Sequence, residues 1–256
     1  MKFTSFGFMS QQGLDVEYLL VGGGSQGENG SSTAYFGFGG GGGGYISQRA
    51  LLKATTAYPV VVGAGGDLAT VFGGSSSFAG QYAGGGEQQM TGYPQNYSND
   101  ETASCGTPAI IYKAGGGGAS GTGSTPYCRN DVFPQTGTGN NGGNGLKWYD
   151  GNYYGGGGGG GIRGAVSFVG LGGLGGGGNG GWEFAEPSGG IANTGGGGGG
   201  GGFFPGGVGT AGASGGSGIV KVRYAGSGSK ATGGTITYSD GYTYHSFTAS
   251  ATLTTL

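Results

Sequence analysis

Few residues of this chain could do chemistry, and their spacing argues against it. There is one histidine, His245, two cysteines, Cys105 and Cys128, and 12 acidic residues among 256. A GxSxG pattern occurs as GGSQG at 23–27 and as GASGG at 212–216. As a nucleophile elbow it would need a strand-to-helix turn and a histidine–acid pair to take the serine proton. His245 sits in YTYHSF, where a strand-surface residue is the expectation. GxGxxG matches follow from the abundance of glycine, and none joins a strand to a helix. The closest carboxylate pairs are Asp15/Glu17, Asp100/Glu101 and Glu183/Glu186, and a calcium loop wants more oxygens at defined steps. Cys105 and Cys128 lie 23 residues apart with no second cysteine pair or histidine cluster, which argues against zinc. They form either one loop-closing disulfide or two free thiols. The chain reads as a non-enzyme without metal or cofactor.

What the chain has in quantity is glycine, 76 residues of 256, in blocks rather than at every third place, and only 7 Pro. That excludes collagen, which needs both the strict period and the proline. Charged residues make up 9% and there are 16 Tyr, 13 Phe and 2 Trp, the reverse of a disordered composition. The formal net charge of −2 offers no basic surface for nucleic acid or an anionic membrane. No run approaches the ~20 apolar residues of a membrane span, and the N-terminus MKFTSFGFMSQQGLD lacks the apolar core of a secretion signal. The expectation is a product made in a cytoplasm.

Helix is nearly excluded, because glycine costs about 1 kcal/mol per helical position relative to alanine. Strand signals sit mainly at the two ends: EYLLV at 17–21, YPVVV at 58–62 and GIVKVRY at 218–224. In the last, Val220, Val222 and Tyr224 should face a core, and Lys221 and Arg223 water. GTITY and YTYHSF flank SDG, a hairpin turn sequence. Between the ends, glycine runs extend from Gly39 to Gly44, Gly155 to Gly161 and Gly195 to Gly202, and blocks starting at Gly155, Gly175 and Gly195 are 20 residues apart. Such spacing suits a back-and-forth array. Bare glycine can adopt the polyproline II geometry, and only glycine lets backbones approach closely enough to bond one another in that form. Ordering eight residues costs roughly 8–16 kcal/mol of backbone entropy, against about 1 kcal/mol net per hydrogen bond. A lone run must therefore stay a flexible spacer, whereas a bundle sealed by rings can be ordered. The rings stand beside the runs, in YFGFGGGGGGYI, WYDGNYYGGGGGGG and GGGGFFPGG, which favours the bundle. The fold class expected is all-β without α-helix, short strands at both ends combined with a bundle of polyglycine II helices. Residues 1–225 form the glycine-rich domain, with an aromatic loop region at about 87–154, and residues 226–256 a C-terminal hairpin and linker strand.

The ordered motifs VEYLLVGGGSQG, FGGGGGGYISQ, YPVVVGAGG, GGSSSFAG and GGSGIVKVRY resemble the glycine-rich domain of many tailed-phage tail-fibre and tail-tip proteins. The terminal GGTITYSDGYTYHSFTASATLTT resembles a segment that precedes such domains, and KFTSFGF at 2–8 echoes SFTASAT at 246–252. The resemblance implies a virion protein released by lysis, partnered by other virion proteins, forming a homo-oligomer and binding a bacterial surface receptor, a glycan or an outer-membrane protein. It is also similar in kind to the glycine-rich ectodomain of certain animal receptor kinases. A rival expectation is a self-assembling filament or capsid-decoration subunit, joined by pairing of the terminal strand with an N-terminal strand. For the receptor, the candidate rings are Tyr93, Tyr97, Tyr127, Trp148, Tyr149, Tyr153, Tyr154 and Trp182, flanked by Ser, Asn and Gly as in antibody paratopes. The other role for each ring is to seal the glycine bundle.

Overall fold

The computed structural model describes residues 13–30, 37–87, 141–162, 169–182, 185–203 and 209–256, with the backbone of short strands at 110–111 and 128–129. Among the described residues there is no helix, and none long and apolar enough to cross a membrane. The chain is all-β. Its strands are β1 (Leu14–Val21), β2 (Tyr45–Leu52), β3 (Ala57–Val60), β4 (Ser76–Phe78), β5 (Gln81–Ala83), β6 (Ile110–Ile111) and β7 (Cys128–Arg129). They continue with β8 (Leu146–Lys147), β9 (Tyr153–Tyr154), β10 (Ile219–Ala225), β11 (Ala231–Thr232), β12 (Thr235–Ser239), β13 (Tyr242–Phe247) and β14 (Ala251–Thr255). A five-stranded antiparallel sheet runs β12-β13-β10-β1-β2, and a three-stranded sheet runs β11-β14-β3.

The two sheets and the β4–β5 hairpin enclose one core. Val16, Tyr18 and Leu20 of β1, Val220, Val222 and Tyr224 of β10, Phe247, Phe78, Val60 and Leu253 are all buried there. Tyr18 meets Phe78 edge-on at 5.4 Å. Each such side chain contributes about 1.5–3 kcal/mol by leaving water. β1 is covered on its other face too, where Leu19 and Val21 are buried. An uninterrupted apolar run such as EYLLV is what a strand buried on both faces requires.

Three readings of the C-terminal strands need correction. Val220, Val222 and Tyr224 do face the core, but Arg223 is buried and Lys221 half-buried, because a second layer covers their face. His245 is fully buried rather than on the surface, since the register sets it opposite Val222. β14 lies between β3 and β11 of its own chain, not beside an N-terminal strand; residues 2–8 fall outside those described. The SDG turn is as expected, with Asp240 and Gly241 both at positive φ, 50° and 78°, between paired Ser239 and Tyr242.

The strands run straight into glycine arms. β1 continues as 22–30, β9 as 155–162, and 209–218 leads into β10. In the first arm Gly22, Ser25 and Glu28 donate to the carbonyls of Gly44, Gly41 and Phe38. Gly23 and Gln26 donate to Gly74 and Val71, and Gly24, Gly27 and Gly30 to Gly216, Ala213 and Thr210. Every third amide thus addresses the same antiparallel neighbour, and successive amides turn to different ones. Outgoing arms also bond in parallel: Gly156, Gly159 and Ile162 donate to Gly175, Gly178 and Gly181, and Gly178 and Gly181 in turn to Gly197 and Gly200. The blocks spaced 20 residues apart each start at a positive-φ glycine, Gly155 at 74°, Gly175 at 98° and Gly195 at 70°, where the chain turns outward again.

The run 195–202 is buried throughout. Carbonyls of Gly195, Gly198 and Gly201 accept from Gly43, Gly40 and Gly37, those of Gly196, Gly199 and Gly202 from Gly216, Ala213 and Thr210, and those of Gly197 and Gly200 from Gly178 and Gly181. Its amides reach Ser217, Gly156, Ser25, Ser188, Gly159 and Glu28, and those of Gly196 and Gly202 the hydroxyls of Thr194 and Thr210. No polar group of the run is orphaned, as burial demands. The run is an ordered element, not a spacer.

Candidate functional site

Two regions present groups at fixed positions. The first is the end of the glycine bundle away from the sheets. Gly30 bonds to Thr210, Gly37 to Gly201, Gly161 to Gly37, Ile162 to Gly181 and Phe203 to Ile162. Short bridges pair Trp182 with Ala185 and Phe203 with Gly209. The ends of several arms therefore meet: Gly30 and Gly37, Ile162 and Gly170, Trp182 and Ala185, and Phe203 and Gly209 lie here. Residues 31–36, 163–168, 183–184 and 204–208, between these pairs in sequence, are outside those described. Half-buried Trp182 stands here.

The second region is the outer face of the five-stranded sheet. The hairpin β8–β9 lies over it, closed by Tyr149, Asp150 and Gly151. Gly151 donates to the Trp148 carbonyl at 3.0 Å, Trp148 to that of Asn152 at 2.9 Å, and Gly151 has φ 84°. This is a type I turn completed by a left-handed glycine, the commonest three-residue hairpin. Trp148 packs edge-on against Tyr244 at 6.0 Å and its Nε1 donates to Ser47 Oγ at 3.2 Å. Tyr154 donates from its hydroxyl to Asp150 Oδ2 at 2.8 Å, and Lys221 pairs with the same carboxylate. Burial would raise the Asp150 pKa, but Lys221, Tyr154 and the Asn152 amide outweigh it and hold the carboxyl below its usual range. Burial and the adjoining Asp150 carboxylate raise the Tyr154 phenol.

Arg223, next on the same face, donates from Nε to Glu17 Oε2 at 2.7 Å and from Nη1 to the Tyr244 hydroxyl at 3.1 Å. Arg49 reaches Asp15 at 2.9 Å and Glu17 at 4.0 Å. These alternating charges, with Lys230 and Tyr242, line a polar cleft of about 550 Å³. Guanidinium and carboxylate groups beside tyrosine rings suit hydroxyl-rich or charged ligands through charge-assisted hydrogen bonds.

Of the sequence-predicted rings, the structure brings Trp148, Tyr149, Tyr153 and Tyr154 together on this hairpin, but in two roles. Trp148 and Tyr154 are 5% and 4% exposed, whereas Tyr149 and Tyr153 are 55% and 40% exposed. The first two are thus anchors of the hairpin and unavailable to a receptor in this conformation. Tyr93, Tyr97, Tyr127 and Cys105 lie outside the described residues, as does the Cys128 side chain. Gly39, Gly44, Gly155, Gly161, Gly195 and Gly202 all lie in arms. Ser25 of GGSQG is buried mid-arm, its Oγ accepting from Gly41 at 2.8 Å, far from an elbow's geometry. Among the described residues no three His, Cys, Asp or Glu cluster to hold a metal.

Sequence reasoning missed the polar residues that close the bundle's flank. Asn141 and Asn144, three apart, accept from the amides of Leu171 and Leu174, also three apart, at 2.8 and 2.9 Å. Asn179 accepts from Gly172 and Asn29 from Gly212. The signal was an Asn repeat at the period of the arms. Sequence comparison adds one finding: the pattern of a family described as a glycine-rich domain matches residues 5–225. No curated protein and no solved structure matches the chain.

Proposed function

The chain belongs to the glycine-rich domain family, and from that premise we propose that it is a non-enzymatic phage virion protein, a tail-fibre or tail-tip component that binds a bacterial surface glycan or outer-membrane protein. Its arms are polyglycine II helices, three residues per turn. The three-residue period of their hydrogen bonds supports this. The observation that carries the functional reading is the gathering of arm ends at Gly30, Gly37, Ile162, Trp182, Phe203 and Gly209, tied by backbone bonds. Groups fixed on so rigid an end, Trp182 among them, have little freedom left to lose, which lowers the entropic cost of recognition. Tyr149 and Tyr153 offer a second, lateral contact. In the virion the protein works as an oligomer beside other tail proteins.

Binding of the fluorescently labelled chain to a panel of bacterial strains tests the proposal. Replacing 163–168 or 204–208 by Gly-Ser segments of equal length should abolish cell binding without lowering the melting temperature. Binding that survives both replacements and Tyr149→Ala/Tyr153→Ala would overturn the receptor role. The second reading, a self-assembling subunit, is favoured by one observation, an uncharged sheet edge at β12 whose residues are all exposed.

A further inference from the structure

β12 ends the five-stranded sheet, and among the described residues no strand pairs with its outer side. Its residues read Thr-Ile-Thr-Tyr-Ser and all five are exposed. Free edges are normally blunted by charge, proline or a bulge, because unpaired N–H and C=O groups recruit other strands. The opposite edge, β2, carries exposed Arg49 paired to Asp15. β12 carries no such guard. The tight turn after it makes Ser239 and Tyr242 a bonded pair, so Thr235, Thr237 and Ser239 bond to β13. Alternation then aims the backbone groups of Ile236 and Tyr238 outward.

The edge is also self-complementary. We infer that β12 pairs with β12 of a second copy of this chain, antiparallel, about a two-fold axis at Thr237. Ile236 then exchanges both backbone bonds with the partner's Tyr238, and Tyr238 with the partner's Ile236. Thr235 faces the partner's Ser239, and Thr237 faces its own copy. Ile236 and Tyr238, 37% and 58% exposed, form two aromatic–β-branched cross-strand pairs, a favoured combination. Two five-stranded sheets become one continuous sheet. So short a contact falls below the ~1,000 Å² of a stable free dimer, so it acts where copies are already held side by side and the local concentration is high. This deepens the self-assembling reading by naming its joint, and it is independent of receptor binding.

The register makes a positional test available. Thr237→Cys sets a thiol opposite itself in a non-bonded pair, whose Cα spacing of about 4.5 Å admits a disulfide. Thr235→Cys sets it opposite Ser239. With the full chain at high concentration under mild oxidation, and the unsubstituted chain as background for Cys105 and Cys128, T237C should form covalent dimer at least about tenfold faster than T235C, since effective concentration governs the rate. Adding Ile236→Lys to T237C should return the rate to background. Equal rates for T237C and T235C, or a T237C rate indifferent to I236K, would overturn the pairing. Should T237C not fold, sedimentation equilibrium of the unsubstituted chain against I236K, at concentrations high enough to populate a weak dimer, decides: a mean mass that falls on substitution supports the joint, and equal masses remove it. Loss of cell binding with T237C dimers intact would sink only the receptor reading.

Discussion

The guanidinium carbon of Arg223 lies 3.5 Å from the centre of the Tyr149 ring, with Tyr242 4.3 Å from the same carbon. Glu17 holds that guanidinium from below. An exposed ring is thereby kept in one place by a cation that is itself fixed, and a contact surface benefits from rings that lose little freedom on binding.

Removing the ring should therefore cost stability as well as surface. Tyr149→Ala is expected to lose about 1 kcal/mol of cation–π attraction, lowering the melting temperature by roughly 2–4 °C. Tyr149→Phe should keep it. Thermal unfolding followed by circular dichroism reads both; a Phe variant as weak as the Ala variant would move the effect from the ring to the hydroxyl.

Lys221 and Asp150 form an ion pair with each side chain 13% exposed. Asp150→Asn leaves the ammonium in that place without its counter-charge, which should cost about 3 kcal/mol, the lower end for a broken buried pair. Asp150→Asn with Lys221→Met removes both charges and should recover more than half. A double-mutant cycle in urea measures the coupling, and additive losses would show that the pair is not coupled.

His245 gives the fold a pH dependence near neutrality. Its Nδ1 lies 2.7 Å from the Gly233 carbonyl and Nε2 3.3 Å from the Tyr224 hydroxyl. Burial lowers its pKa below the ordinary 6.5, against the opposing Gly233 carbonyl. The unfolded chain binds the proton more readily, so this contribution is full above pH 6.5 and declines as pH falls from there through the folded value. The slope cannot exceed about 1.4 kcal/mol per pH unit, the limit for one proton. Asp150, with its lowered pKa, acts only at more acidic pH, where its protonation ends the Lys221 pairing. Urea midpoints from neutral to about pH 5 should fall for the natural chain and stay level for His245→Gln. A parallel fall in both would assign the dependence to other groups.

What could be read in the sequence follows from what each pattern encodes. Alternation in GIVKVRY identifies one core face correctly, but it carries no information on what lands on the other. That cover comes from 146–154, about 70 residues earlier. The polar flanks Lys147, Asp150 and Asn152 suggested exposure for the whole hairpin, whereas strand alternation puts Tyr153 outside and Tyr154 inside. His245 is buried because of its register opposite Val222, and register is a pairing property that one strand does not reveal. The glycine runs are more extreme. Eight identical residues hold no register at all, so their alignment must come from the strands they extend and from caps such as Thr194 and Thr210.

Bare backbone in the central run is a steric requirement, and a single methyl tests it. A Cβ on Gly198 would stand 1.9 Å from the Ala213 carbonyl oxygen and 2.7 Å from its carbon. Neither atom can rotate away, because both belong to a backbone whose own amide donates to Gly199. Moving the central run instead would break the bonds from Gly198 to Ser25 and from Gly40 to Gly198, 2.9 and 2.7 Å long. Gly198→Ala should cost more than about 3 kcal/mol, beyond ordinary overpacking of side chains, and lower the melting temperature by about 10 °C. At Gly228 an added Cβ meets nothing within 4 Å, so Gly228→Ala should be neutral or gain up to about 1 kcal/mol through the unfolded chain. Hydrogen exchange on the natural chain supplies the direct measurement. Amides of 195–202 should exchange as slowly as those of β1, and exchange at the rate of an unstructured peptide would mean that the arms do not hold one another.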